Sequence, residues 1–312
     1  MIRLCEISGD KLHGSREITQ RAILYMGQHL REMGREASPD AVKQRIVDLC
    51  ETMVESQPSM ASLFNLANSI LSMVEKVENQ EDILANALAF LEDERFREAK
   101  LLEEVGENLY KVASSGMRIL LHSHSSTVNQ TLCHAIERGL VFSAVVTEGR
   151  PVMEGRLTAA ELACSEIPVS IICDAAATIQ MSDVDMVLLG ADAVTVDGVI
   201  NKTGSMVLAL AAEHNNIPVY ILTTSNKFLP AEACPPSIEL QDPLEVWQEP
   251  PPGVEVINKY YETIPLEKLK FITEEGILGK EDIIERLEKL RFSSLSRSIW
   301  HPGMRTTLET EQ

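Results

Sequence analysis

Residues Met186-Val187-Leu188-Leu189-Gly190-Ala191-Asp192-Ala193-Val194-Thr195-Val196-Asp197-Gly198-Val199-Ile200-Asn201-Lys202-Thr203-Gly204 pass from an unbroken apolar run to a carboxylate, a tight turn and a helix start. A short apolar run ending at glycine reads as a strand buried on both faces. A two-residue turn returns the chain, so that Asn201 and Lys202 arrive beside the glycine opening a helix with Met206, Val207, Leu210 and Ala211 on its apolar face. Moving outward, the same grammar recurs. Arg118 to Leu121, Val141 to Val146, Val169 to Cys173 and Val219 to Leu222 are further strands. Between them, Ser126 to Arg138 carries Val128, Leu132, Ala135 and Ile136 on one side and ends at Gly139, while Thr158 and Glu161 have capping-box spacing. This alternation predicts an α/β fold, a mainly parallel sheet with helices on both faces, whose ligands bind outside the carboxyl ends of the strands.

The chain before this region is helical in pattern. Ser15 is placed to cap a segment carrying Ile18, Ala22, Tyr25, Met26, Leu30 and Met33, and Ser38-Pro39 opens another with Val42, Ile46, Cys50 and Met53. Met60, Leu63, Ala67, Ile70, Leu71 and Val74 form a third apolar face, and a long fourth segment runs from Glu81 to Val112. The expected organisation is an N-terminal helical domain over 1–115, a sheet domain over 116–292 and a weakly ordered tail over 293–312. The proline-rich stretch from Pro230 to Gly253 reads as an extended surface connection within the sheet domain, followed by a late strand at Phe271 to Thr273 and an amphipathic helix at Glu281 to Leu290.

Composition narrows the function. Of 312 residues, 45% are apolar, enough for a sizeable core, and 28 basic against 47 acidic side chains leave a net charge of −19, which argues against direct nucleic-acid binding. No apolar run is long enough for a membrane span and the first residues lack a signal-peptide pattern, so no membrane partner and a cytoplasmic location are expected. Cys5, Cys50, Cys133, Cys164, Cys173 and Cys234 show no metal-ligand spacing and read as small core residues in a reducing compartment; no metal or cofactor is expected.

Three strand-end loops carry the candidate chemistry. His122-Ser123-His124-Ser125-Ser126 puts small polar residues at a helix amino terminus, where they either receive an anion or form an ordinary cap with solvent-facing histidines. Thr147-Glu148-Gly149-Arg150-Pro151 sets a permissive glycine beside an arginine, suited to an anionic ligand or to a plain polar turn. Asp192, Asn201 and Lys202 in one short span favour a polar ligand.

Several of these segments are also similar to one known superfamily. TEGRPVMEGRLTAAEL, the Cys173 to Ala176 segment, GADAVTVDGVINKTGS, Asn226-Lys227-Phe228 and ITEEGILG resemble the superfamily of the translation initiation factor 2B alpha, beta and delta regulatory subunits, archaeal ribose 1,5-bisphosphate isomerase and methylthioribose 1-phosphate isomerase. Gly14-Ser15 and ESQPSMASLFN look like its amino-terminal motifs. The resemblance implies a helical domain followed by a Rossmann-like domain that dimerises. It places Asp192 at the isomerases' catalytic aspartate, Asn201 and Lys202 at their asparagine-lysine pair, and Ser123 where they carry a catalytic cysteine. Their amino-terminal Arg-Gly-Ala aligns with Ser8-Gly9-Asp10 and their Thr-Arg-Pro with Ser56-Gln57-Pro58, so two phosphate-gripping arginines are missing.

With the thiol replaced, the expected function is that of a regulatory or binding protein that holds a phosphorylated sugar or nucleotide and acts through protein contacts. The alternative is a sugar-phosphate aldose-ketose isomerase. The expected site comprises Asp192 and Ser123 as catalytic positions with Arg150, Gly149, Asn201, Lys202, Lys227 and His122 as ligand contacts. Expected partners are a small phosphorylated ligand, a second copy of the chain in a dimer or larger homo-oligomer, and a protein of translation.

Overall fold

The computed structural model describes residues 2–10, 14–33, 38–77, 79–233, 238 and 240–296. Its N-terminal part is helical: α1 (Cys5–Ser8), α2 (Ser15–Arg31), α3 (Pro39–Ser56), α4 (Ala61–Val74) and α5 (Gln80–Leu109). Ile18, Ala22, Met26 and Leu30 on α2, Val42, Ile46, Cys50 and Met53 on α3, and Leu63, Ala67, Ile70 and Leu71 on α4 share one core, as their three- and four-residue spacing requires. Ser38 caps α3 by accepting from the Ala41 amide, with Pro39 at the first helical position.

The remainder alternates strands and helices: β1 (Arg118–Leu121), α6 (Ser126–Glu137), β2 (Ser143–Thr147), α7 (Gly155–Cys164), β3 (Val169–Ile172), α8 (Ala177–Gln180), β4 (Met186–Leu189), β5 (Ala193–Thr195), β6 (Gly198–Lys202), α9 (Ser205–Asn215), β7 (Val219–Leu222), β8 (Tyr261–Ile264), β9 (Leu269–Thr273), β10 (Gly276–Leu278) and α10 (Lys280–Lys289). Seven strands form one sheet in the order β10-β9-β7-β4-β1-β2-β3, parallel except for β10. The order reverses between β1 and β4, where Leu121 lies opposite Leu188, so a crevice opens beyond the carboxyl ends of those two strands. A second, antiparallel sheet, β5-β6-β8, stands above that crevice. Its Ala193 and Ile200 belong to the core of the N-terminal helices, and the Asp192 carbonyl accepts from the Ala61 amide at the start of α4. Helix α5 serves both layers: Ile83, Ala87 and Leu91 pack among the helices, Val105 and Leu109 against the large sheet with α6.

Several sequence expectations need correction. The helix containing Thr158 begins a turn earlier, at Gly155, and the Thr158 hydroxyl donates to the Ser123 carbonyl at 2.9 Å instead of capping its own helix. Ser15 is the first helical residue of α2, and Gly14 holds the extended cap position. Val141 precedes β2 and is exposed. On α9 the inward residues are Ser205, Leu208 and Ala212, leaving Val207 and Leu210 outside; the helix is apolar almost all round, so periodicity could not choose a face. Among the cysteines only Cys50 is buried; Cys133 is half-buried and Cys5, Cys164 and Cys173 are exposed, because their apolar neighbours lie on opposite faces of the same short elements. Cys234, Pro235, Pro236 and residues 297–312 lie outside the described residues. Ser293 and Ser296 are buried, where Asn68 Oδ1 accepts from the Ser293 amide and the Ser296 hydroxyl. No helix among the described residues is long and apolar enough to cross a membrane.

Candidate active site

The crevice at the strand-order reversal is a narrow cleft lined mainly by polar residues. The loop after β1, the loop after β4, the β6 end and the start of α2 converge on it. Gly190 allows the first two to approach: a Cβ there would lie 2.7 Å from Ser125 Oγ. The β5-β6 hairpin then fixes Asp192, whose amide donates to the Ile200 carbonyl at 2.9 Å.

Asp192, Asn201, Lys202, Lys227, Ser123 and His122 all line this cleft, so the fold gathers six of the eight sequence-derived candidates. Burial pushes the Asp192 carboxyl up to about 6, opposed by the charges of Lys227 and Lys202. Its carboxyl therefore exchanges a proton near neutral pH. Lys202 pairs with Glu154 at 2.7 Å, both side chains buried, and stands over the Tyr260 ring at 4.5 Å. Asn201 Nδ2 donates to Ser205 Oγ at 2.9 Å, which anchors the end of β6 to α9. Lys227 is buried on the cleft wall. Burial lowers its pKa, while Asp192 and Glu98 act to raise it.

Ser123 has a left-handed backbone (φ 67°), unusual for a residue with a side chain, and its hydroxyl donates to Glu154 Oε1 at 2.9 Å. Neither neighbouring histidine meets that hydroxyl. His122 is buried, with Nε2 2.9 Å from the Thr203 carbonyl and Nδ1 2.6 Å from the Thr147 hydroxyl. A carbonyl accepts only, so Nε2 carries the proton and Nδ1 accepts from Thr147. Burial lowers the His122 pKa, consistent with this neutral form. Gly204 fits beside the ring, because a Cβ there would lie 2.9 Å from it and the backbone has φ +109°. His122 thus ties β1 to the start of α9, and the solvent-facing alternative for this histidine does not hold.

Gly149 and Arg150 do not line the cleft. Their amides donate to the two Asp174 carboxylate oxygens at 2.9 and 2.8 Å, and the Arg150 side chain reaches the Val246 carbonyl at 3.0 Å. The β2 loop lies one strand away from the order reversal and uses its polar groups to bind its own neighbour. Ser8 is exposed on α1, and Gln57 Nε2 donates to the Ile7 and Asp10 carbonyls at 3.0 and 3.1 Å, so neither faces the cleft. The amino-terminal motif that does reach it is Gly14-Ser15, which corrects the alignment placed at Ser8-Gly9-Asp10.

Two further participants, Glu154 and Glu98, were not singled out in the sequence, and two residues read as cap and loop positions, Ser15 and Ser126, also bear on the site. Glu154 lies in the Pro151 to Arg156 motif segment, and that motif was its available signal. Its second oxygen, Oε2, is buried without a partner. Ser15 and Ser126, in the first turns of α2 and α6, are buried with unpartnered hydroxyls, and Gly14 packs so closely that a Cβ would lie 2.9 Å from Ser126 Oγ. The positive ends of two helices therefore meet at one wall of the cleft, an arrangement suited to an anionic group. Glu98 stands behind Lys227, its carboxyl pushed up to about 7 chiefly by burial. Among the described residues no cluster of side chains has the make-up of a metal site.

Comparison with known proteins agrees with this architecture. The Initiation factor 2 subunit family model matches residues 11–280. A translation initiation factor eIF-2B subunit 2-like protein of Pyrococcus horikoshii is 38% identical over 201 residues, covering 64% of this chain and 69% of that protein. Ribose 1,5-bisphosphate isomerase of Thermococcus kodakarensis is 30% identical over 301 residues, covering 91% of this chain and 92% of the isomerase. The crystal structure of translation initiation factor eIF-2B from Pyrococcus horikoshii superposes with a TM-score of 0.75 at 28% identity, over 88% of this chain and 94% of that one. With a family match spanning most of its length and the same fold in a solved relative, this chain belongs to the Initiation factor 2 subunit family.

Proposed function

We propose that the cleft binds a phosphorylated sugar and that the chain acts as a regulatory or binding member of its family. The observation that carries this reading is the buried Lys227 on the cleft wall that also holds Asp192, together with the partnerless hydroxyls of Ser15 and Ser126. A buried ammonium is costly, and an anionic ligand lowers that cost. The starts of α2 and α6, with the free hydroxyls of Ser15 and Ser126, offer a second anion-receiving group. Lys202, committed to Glu154, orients the wall, and Asp192 and Asn201 face the sugar. Because relatives bear names of both a ribose 1,5-bisphosphate isomerase and an initiation factor, a ribose bisphosphate is the first ligand to test. Calorimetric titration with ribose 1,5-bisphosphate should give saturable binding that inorganic phosphate competes away; no saturable heat refutes the reading.

A specific observation favours a second reading, aldose-ketose isomerisation. The Asp192 carboxyl, pushed up to about 6, is poised to take a proton from one carbon of an opened sugar and return it to the next. Opposing it, Ser123 occupies the thiol position and spends its hydroxyl on Glu154, which is itself engaged by Lys202. A hydroxyl so placed lacks a free base. Formation of ketose bisphosphate by the native protein, abolished in Asp192→Asn, would establish the isomerase. For assembly, we propose that a second copy packs against the outer face of α9, where Val207 and Leu210 are about half exposed beside the exposed Ile179. A protein of translation remains the proposed partner through the family's initiation-factor members.

A further inference from the structure

His122 and His124 sit on one loop, and their surroundings differ in one respect. Both nitrogens of His122 are used internally. His124 also lines the cleft, its side chain only 2% exposed, with Nε2 3.2 Å from each oxygen of Glu161. Carboxylate oxygens accept only, so Nε2 carries a proton, and in the neutral ring Nδ1 presents a lone pair. That lone pair is buried and has no partner.

The carboxylate holding the ring is itself held. Asn129 Nδ2 donates to Glu161 Oε2 at 2.6 Å and to Thr158 Oγ1 at 3.2 Å, and the Thr158 hydroxyl donates to the Ser123 carbonyl. A chain of hydrogen bonds from α6 through α7 back to the loop thus sets ring orientation and tautomer, the arrangement by which a carboxylate tunes an imidazole for work on its other nitrogen. Buried polar atoms in folded proteins almost always have partners, and one left over at a cleft wall is matched by a group that arrives with the ligand. The group required is a donor. Phosphate oxygens cannot serve, whereas the hydroxyls of a sugar can.

We infer that His124 Nδ1 accepts a hydrogen bond from a hydroxyl of the bound sugar, with Glu161 as the positioning residue. The inference rests on the sugar-phosphate reading above and adds a ligand contact on the polyol portion.

Two substitutions and one spectrum test it. Glutamine places its amide where Nε2 stands, so His124→Gln keeps the bond to Glu161 and removes the Nδ1 acceptor. It should fold as the native protein does, bind inorganic phosphate unchanged and lose at least tenfold in affinity for ribose 1,5-bisphosphate. Glu161→Gln should weaken the same binding by less, since the ring remains but its tautomer is freed. In the native protein with ¹⁵N-labelled histidine, ribose 1,5-bisphosphate should move the His124 Nδ1 resonance in the direction of a nitrogen that accepts a hydrogen bond, and inorganic phosphate should leave it in place. Bisphosphate binding with an unmoved Nδ1 resonance overturns the inference and leaves the sugar-phosphate reading standing. Failure of the bisphosphate to bind the native protein overturns both.

Discussion

The loop after β1 and the loop after β2 make an instructive pair. Both end strands of the same sheet, both are rich in small polar residues, and their sequences suggest an anion site about equally well. One lines the cleft with Ser123, while the other folds onto Asp174 and Val246 and leaves Arg150 outside. What separates them is the position of their strands. β1 lies beside β4, where the strand order reverses and a crevice must open; β2 lies one place further out, where the first part of its loop satisfies itself and Glu154, next to α7, is the part that reaches the cleft. Residue type at a strand end indicates what a loop could bind, and strand order decides whether anything can reach it.

The largest expected contrast is in stability. Lys202→Met leaves Glu154 buried without its partner and should cost about 3–5 kcal/mol in denaturant unfolding, whereas Arg150→Met, on the exposed loop, should change stability by about 0.5 kcal/mol or less. Equal losses would mean that the buried pair adds no more than an exposed side chain. The next effect depends on pH. The carboxyls of Asp192 and Glu98, pushed up to about 6 and about 7, lie above their unfolded values, so the folded chain binds more protons than the unfolded chain between about pH 4 and 7. Stability should therefore fall as pH rises through that window. Asp192→Asn should gain about 2–3 kcal/mol relative to native at pH 8 and nothing near pH 3.5. A gain independent of pH would show that the carboxyl is not held protonated by burial. Smaller again is a backbone effect: Gly190→Ala forces contact with Ser125 and should cost roughly 1–3 kcal/mol, whereas Gly106→Ala on α5, where a Cβ has open space, should stabilise by about 0.5–1 kcal/mol. On the outer face, Leu210→Glu should lower the molar mass seen by light scattering at micromolar concentration with little change in monomer stability, because Leu210 is already exposed. A native monomer would remove the proposed assembly.

Much of the fold was legible because buried parallel strands are short apolar runs. Arg118 to Leu121, Met186 to Leu189 and Val219 to Leu222 match β1, β4 and β7 end to end. Of the second sheet only a two-residue turn was legible; the strands β5 and β6 on either side of it were not read, and β8 joins from beyond the proline-rich stretch, where no local pattern reports so distant a pairing. Asp192, Asn201 and Lys202 were legible as one compact polar span. Glu154 and Glu98 were not, since each looks like an ordinary helix-end or surface residue, while Ser15 and Ser126 were legible as helix-start positions of a motif and a candidate loop. The α9 face was misread for the opposite reason, an excess of apolar residues with no period to sort them.

The most direct measurement is a calorimetric titration with ribose 1,5-bisphosphate of three proteins: native, Lys227→Met and Arg150→Met. Lys227→Met removes a buried cation from the cleft wall, and its affinity should fall at least tenfold, about 1.4 kcal/mol. Arg150→Met should bind as the native protein does. Affinity lost in Arg150→Met and retained in Lys227→Met would place the ligand at the β2 loop and contradict the assignment of the cleft.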